Sequence, residues 1–190
     1  WSLIFRGKMK QLLMLVLSSV GISPLVADSV QVAGTWTLQS SELVYTVNHP
    51  LKTSVGKSTK ARGKVRCAAS CEFLIAVPVV SFDSGDSNRD LHMLETTKGA
   101  TFPVITVRGN FPGGSVASPL KVDFLIEFAG QKASVPGVSL SLAAKGDKLE
   151  AAGSFKLKLS QFGVVKPSLL GMAIDDDVAI TIQSLWESAK

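Results

Sequence analysis

Residues that could do chemistry gather in one short stretch, Ser81-Phe82-Asp83-Ser84-Gly85-Asp86-Ser87-Asn88-Arg89-Asp90-Leu91-His92. Oxygen ligands alternate at Asp86, Asn88 and Asp90, as at the start of a calcium loop. Such a loop also needs glycine at its sixth position and a bidentate glutamate at its twelfth. Leu91 and Thr97 stand there instead. The same residues suit a helix start. Asp86 or Ser87 can cap exposed amides, and Asp90 favours the positive end of the helix dipole.

The two histidines, His49 and His92, make a thin metal site by themselves, and no metal is expected. A hydrolase would need a nucleophile activated by a neighbouring base. No Gly-x-Ser-x-Gly occurs, so neither catalytic residues nor enzyme activity are expected. Asp175-Asp176-Asp177 reads as a charged turn before a strand.

Cys67 and Cys71 are the two cysteines. Three intervening residues differ from the two of a thioredoxin motif, and a zinc site would need further ligands nearby. In an exported chain the first reading is a disulfide across a tight hairpin, with free or redox-active thiols as the alternative. A loop this small gives only modest stabilisation, roughly 2 kcal/mol.

Export is suggested by the N-terminus. Met9-Lys10 opens a positively charged start, Leu12–Leu17 is apolar, and Ser18, Ser19, Gly21, Ser23, Pro24 and Ala27 follow. This is the three-part pattern of a secretory signal, with cleavage expected after Ala27. The apolar run is too short and too interrupted to span about 30 Å of hydrocarbon. The chain therefore divides into 1–27, an upstream extension plus signal peptide, and 28–190, one domain. A periplasmic or secreted location follows, with no membrane span once the signal is cleaved.

The division changes the charge argument. The formal charge of +5 includes Arg6, Lys8 and Lys10, which precede the first acidic residue; 17 basic and 15 acidic residues remain, a net +2. No dense Lys/Arg cluster interleaves with aromatics, so nucleic acid is not an expected partner. Lys57, Lys60, Arg62, Lys64 and Arg66 read as a solvated strand face.

The elements that must position these residues are strands. Leu43, Tyr45 and Val47 alternate with polar neighbours. So do Val122, Phe124, Ile126 and Phe128, then Phe155, Leu157 and Leu159, then Val178, Ile180 and Ile182. Period-two alternation marks sheets with one apolar and one wet face. Further strands are expected at 34–39, 57–67, 71–81, 103–111 and 135–145, one helix at 88–98, and a short turn after Ser160. Eight or more such strands can close into a barrel or stack as a sandwich, and periodicity does not choose between them.

The wording of the chain also resembles the YceI-like family. Trp36-Thr37-Leu38 and Ser41-Glu42-Leu43-Val44-Tyr45-Thr46-Val47-Asn48-His49 are similar to its opening strands, with Ser40 where the common form has a histidine. The most specific match is Val77–Met93, followed by Phe102–Val107, Gln161-Phe162-Gly163 and Val178–Trp186. It covers roughly residues 34–187. The resemblance implies an all-β fold, an eight-stranded antiparallel lipocalin-like barrel with a short helical insertion. Arg89 would then face a carboxylate at the barrel rim.

The resemblance also implies a non-catalytic periplasmic carrier for an amphiphilic lipid. No cofactor is expected beyond a bound isoprenoid or fatty-acyl chain. Tyr45, Val47, Phe124, Ile126, Phe155 and Leu157 would contact its tail, with the Tyr45 hydroxyl offered to a head group. The alternative is a filled-barrel structural or stress-related protein of the cell envelope, in which the aromatics form a solid core. Whether the chain acts alone or as a homodimer is not fixed by its residues.

Overall fold

The computed structural model describes residues 29–189, so the expected signal segment lies outside the described residues. The chain opens with β1 (Ser29–Val32), the long β2 (Gly34–His49), β3 (Lys52–Ser58), β4 (Arg62–Cys67) and β5 (Ser70–Pro78). After a 3-10 turn at Val79–Ser81 comes the helix α1 (Ser87–Thr96). Then follow β6 (Val104–Pro112), β7 (Gly114–Ala117), β8 (Leu120–Phe128), β9 (Gln131–Lys145) and β10 (Lys148–Lys158). A second 3-10 turn, Leu159–Phe162, leads to the small hairpin β11 (Ser168–Leu169) and β12 (Met172–Ala173), and β13 (Asp177–Ser188) ends the fold. Among the described residues no helix is long and apolar enough to cross a membrane.

Eight strands, in the order β13-β10-β9-β8-β6-β5-β4-β2, form an antiparallel sheet that closes on itself where β2 pairs with β13. The barrel expected from the resemblance is therefore the architecture, and the sandwich is not. Closure leaves the inward positions to fill or line one interior. On β8 that alternation is strict: Leu120, Val122, Phe124 and Ile126 are buried while Lys121, Asp123 and Leu125 are exposed.

The strand expected at 135–145 begins earlier, at Gln131, and the helix expected at 88–98 runs Ser87–Thr96; three further differences shape the interior. The segments expected at 34–39 and 43–47 are one strand, β2, with its inward face switching from Trp36 and Leu38 to Leu43, Tyr45 and Val47. A bulge causes the switch: Trp186 pairs with Leu38 but Leu185 with Ser40, leaving Gln39 as the extra residue. The strand expected at 57–67 is broken at residues 59–61 into β3 and β4, each pairing with a different half of β2. The strand expected to run to Ser81 ends at Pro78, where the chain turns toward α1.

The basic stretch is divided by the same break. Arg62, Lys64 and Arg66 are exposed on β4 and alternate with Gly63, Val65 and Cys67. Lys57, on β3, pairs with Glu42 at 2.6 Å.

One end of the barrel is packed solid. Trp36, Val65, Cys71, Leu120, Leu149 and Trp186 form a buried cluster. The two-stranded ribbon of β1 and β7 adds Val30, Val32 and Val116 to it. Cys67 and Cys71 face each other across the β4–β5 pair and are disulfide-bonded, with Cα atoms 3.9 Å apart.

The middle of the barrel is crossed by aromatic rings. Phe73 meets Phe124 edge-on at 5.7 Å, and Phe124 meets Phe155 edge-on at 5.5 Å. Edge-to-face contact at these separations is the favoured geometry. The Phe73 ring fits because Gly109, opposite it on β6, has no side chain. A Cβ there would lie 2.6 Å from the Phe73 ring and 2.7 Å from the Asp123 carbonyl oxygen. Gly109→Ala is therefore expected to destabilise the fold by about 1–3 kcal/mol, the usual cost of overpacking. Urea unfolding followed by tryptophan fluorescence would measure it.

Candidate functional site

The other end of the barrel is open and is covered by α1. The polar stretch 81–92 builds this cover. The Asp86 carboxylate caps the helix, accepting the amides of Asn88 and Arg89 at 3.1 Å each. Asp90 reaches back to accept both the amide and the hydroxyl of Ser84. The Arg89 guanidinium donates to the Ser84 hydroxyl at 2.9 Å and the Ser84 carbonyl at 2.8 Å. Arg89 thus binds the loop rather than the rim carboxylate expected from the sequence. A short polar loop with donors and acceptors of its own can satisfy them internally, and this one does.

The loop is fastened to the barrel at two places. Ser81 donates its hydroxyl to the Pro78 carbonyl at 2.6 Å, and the buried Ser58 hydroxyl on β3 lies 2.6 Å from Ser81. Asp83 and Lys57 exchange both backbone hydrogen bonds at 2.9 Å. This occupies backbone groups of β3 on the side away from β2, where a bare edge would remain.

Beneath the helix lies a cavity of about 280 Å³. The barrel contributes Tyr45 and Val47 from β2, Ile126 and Phe128 from β8, Leu157 from β10, and Val178 and Ile180 from β13. The cover contributes Phe82, Arg89, His92, Met93, Thr96 and Thr97. Val164, Pro167 and Ile174, around the β11–β12 hairpin, complete the wall. The lining is overwhelmingly apolar, with its polar groups on the helix and at the mouth. Such a space favours hydrocarbon over water.

Tyr45 is the main polar group reaching in from a strand. Its ring lies over Gly56 of β3, where any side chain would collide with it, and 5.6 Å from Phe82. Burial pushes its phenol above the ordinary value; Asp90 adds to the rise and Arg89 opposes it. The group therefore stays neutral near pH 7 and can serve as a hydrogen-bond donor.

The histidines do separate things. His49 accepts the Leu51 amide at Nδ1, 3.1 Å away, so its proton is on Nε2, which donates to the Met172 carbonyl at 3.0 Å. It ties the end of β2 to the β11–β12 hairpin. His92 is exposed on α1, 3.6 Å from Glu95. Among the described residues no three His, Cys, Asp or Glu side chains are grouped to hold a metal. In the acidic turn, Asp176 accepts the amide and hydroxyl of Ser160, and Asp177 pairs with Lys158 at 2.8 Å.

A family model described as the YceI-like domain matches residues 35–184. The chain belongs to the YceI-like family. Solved structures similar to this YceI-like chain share its fold at low identity. A polyisoprenoid binding domain from Saccharophagus degradans, implicated in plant cell wall breakdown, is 13% identical with a TM-score of 0.67, covering 81% of this chain and 98% of its own. BcnA of Burkholderia cenocepacia is 19% identical with a TM-score of 0.61, covering 76% and 95%. The YCEI protein of Campylobacter jejuni is 12% identical with a TM-score of 0.50, covering 96% and 100%. Among curated proteins none matches the sequence to a significant level.

Of the six residues expected to contact a tail, Tyr45, Val47, Ile126 and Leu157 line the cavity of this YceI-like barrel. Phe124 and Phe155 are not among its lining residues; they belong to the aromatic layer across the middle of the barrel. Phe128, Val178 and Ile180 were missed as wall residues, although they continue the same inward alternation. Met93, Thr96 and Thr97 carry no such signal, because they lie at the end of a helix whose docking sequence periodicity does not specify.

The Asp86 cap makes the cover sensitive to acid. The Arg89 amide hydrogen bond holds its carboxyl below the ordinary 3.8; desolvation opposes it, and the Arg89 charge, the Asn88 amide and the Lys52 charge help in smaller measure. A depressed folded-state pKa contributes stability above the ordinary value that is lost as pH falls through the lowered one. The amide proton shifts of Asn88 and Arg89 are expected to titrate with a midpoint below 3.8. Asp86→Asn, which keeps a capping oxygen without a carboxylate, should abolish that titration in NMR spectra.

Proposed function

We propose that this protein is a non-catalytic carrier or scavenger of amphiphilic lipid, holding an isoprenoid or acyl tail in the barrel. One observation carries the reading: an apolar cavity walled by inward strand residues and covered by a helix held in place by its own hydrogen-bonded loop. Apolar pockets with a few polar groups at one end are the usual form of small-molecule sites. Each methylene moved from water into such a space contributes about 0.8 kcal/mol, partly offset by the ligand's lost freedom. A similarly folded domain is described as polyisoprenoid binding, which agrees with this choice of ligand.

The six tail contacts proposed from the sequence divide naturally. Tyr45, Val47, Ile126 and Leu157 would touch the tail directly, with Tyr45 donating to a polar group. Phe124 and Phe155 would support it from below. A periplasmic or secreted setting suits the Cys67–Cys71 disulfide, since such bonds persist in oxidising compartments. The filled-barrel alternative is less favoured, because it predicts no interior space beyond a few waters.

Leu157→Trp should occupy the cavity without placing a charge in the core. It is expected to weaken binding of a fluorescent acyl probe about tenfold or more, the equivalent of two lost methylene contacts. Circular dichroism should show the barrel intact. Unchanged probe affinity in the folded variant would remove the cavity from the proposed function. Native mass spectrometry of protein from its own periplasm, followed by organic extraction, would identify the ligand class.

A further inference from the structure

We propose that the outer face of β4, β5, β6 and β8 docks on an anionic lipid bilayer, with its cations among the head groups and Leu74 and Leu125 dipping between them. Such docking adds a place of pick-up or delivery to the tail-binding reading and does not depend on it. The strand register assembles the face. Lys64 on β4 pairs with Leu74 on β5, Leu74 pairs with Arg108 on β6, and Arg108 pairs with Leu125 on β8. All four side chains point outward and are exposed. Cation and leucine thus alternate along one row across four strands. Leu74 is 44% exposed and Leu125 46%. Arg62 and Arg66 flank Lys64 on the same face of β4.

The charge is one-sided. Lys60, Arg62, Lys64, Arg66 and Arg108 line an open groove of about 1200 Å³, and Glu72 is the one acid beside them. Among the described residues none of the five cations forms an ion pair, whereas Lys57 of the same basic stretch is held by Glu42. The nearest acids on β8 are engaged elsewhere: Glu127 pairs with Lys132 at 3.6 Å, and Asp123 accepts the Gly137 amide at 2.7 Å. The cations spread over about 13 Å along β4, at ~3.3 Å per residue, and about 10 Å from β4 to β6. That area suits a surface of repeated anions better than one phosphate. A nucleic acid or other anionic polymer would pair with the cations but leave the two leucines against polar groups. The head-group region of a bilayer takes both, cations at the anions and apolar side chains at the acyl boundary. The face also reaches the mouth. Val104, 42% exposed, pairs with Pro78, and their chain neighbours Ile105 and Val79 line the cavity.

The test is flotation of the purified protein with vesicles of phosphatidylglycerol and phosphatidylcholine in equal parts, and with vesicles of phosphatidylcholine alone. The protein should float with the anionic vesicles, less so at raised salt, and about tenfold more weakly or not at all with phosphatidylcholine. Lys64→Gln together with Arg108→Gln should weaken binding about 25-fold, at about fivefold per cation. Leu74→Ser should weaken it about fivefold with the salt dependence unchanged. Lys156→Gln, exposed on β10 four strands away round the barrel, should leave it unchanged.

Equal binding to both vesicles, or binding to neither, would overturn the proposal. So would a loss from Lys156→Gln as large as that from the Lys64 and Arg108 pair, which would mean attraction by overall charge. Tighter binding to heparin than to anionic vesicles, untouched by Leu74→Ser, would give the face to an anionic polymer instead. Binding of a fluorescent acyl probe, measured without vesicles, should be unchanged in the Lys64 and Arg108 variant, so failure of docking and failure of tail binding are read separately.

Discussion

The pairing of β2 with β13 is the constraint on which the rest of the structure depends. Without it the sheet would end in two long edges and its inward residues would have no interior to share. The pairing runs nearly the whole length of both strands, from Val47–Val178 to Trp36–Ser188. The Gln39 bulge lets a single strand turn both Trp36 and Tyr45 inward although they differ in parity. Trp36 then joins the packed end and Tyr45 the open end. One extra residue in one strand thus links the two halves of the interior.

Those halves show how an eight-stranded barrel can be both filled and hollow. Large side chains at the packed end are matched by absent ones, as Trp186 is matched by Gly63. Dense packing there supplies the stability. At the open end the inward side chains, mostly aliphatic but with Tyr45 and Phe128 among them, leave a cavity between them. The space they leave is closed by a helix whose hold on the barrel is largely polar. Hydrophobic burial fixes the wall, and hydrogen bonds fix the cover.

Much of this was legible in the sequence where a single rule governs. Period-two alternation located β8, β10 and β13, and with them most of the cavity wall. The cap at Asp86 was legible because capping is local chemistry. The break at residues 59–61 was not, because Lys57–Cys67 alternates smoothly enough to read as one strand. What divides it is that its two halves pair with offset parts of β2, a tertiary relation. Which inward residues line the cavity was hidden for the same reason. Phe124 and Ile126 look alike along β8, and only the rings arriving from β5 and β10 put one in the aromatic layer and leave the other on the cavity wall.

The polar stretch before and along the helix has a role its composition does not suggest. Residues 81–92 carry oxygens, a guanidinium and an imidazole, the materials of a metal or catalytic site. Yet Asp86 is spent on helix amides, Asp90 and Arg89 on Ser84, and Asp83 lends its backbone to β3. The acceptors are occupied by donors from within the same loop. A cover over an apolar cavity gains little from the hydrophobic effect on its outer side, so its position must come from directional bonds. This stretch therefore sets the geometry of the cover. The residues that would touch a tail lie on strands where one aliphatic side chain can replace another at small cost.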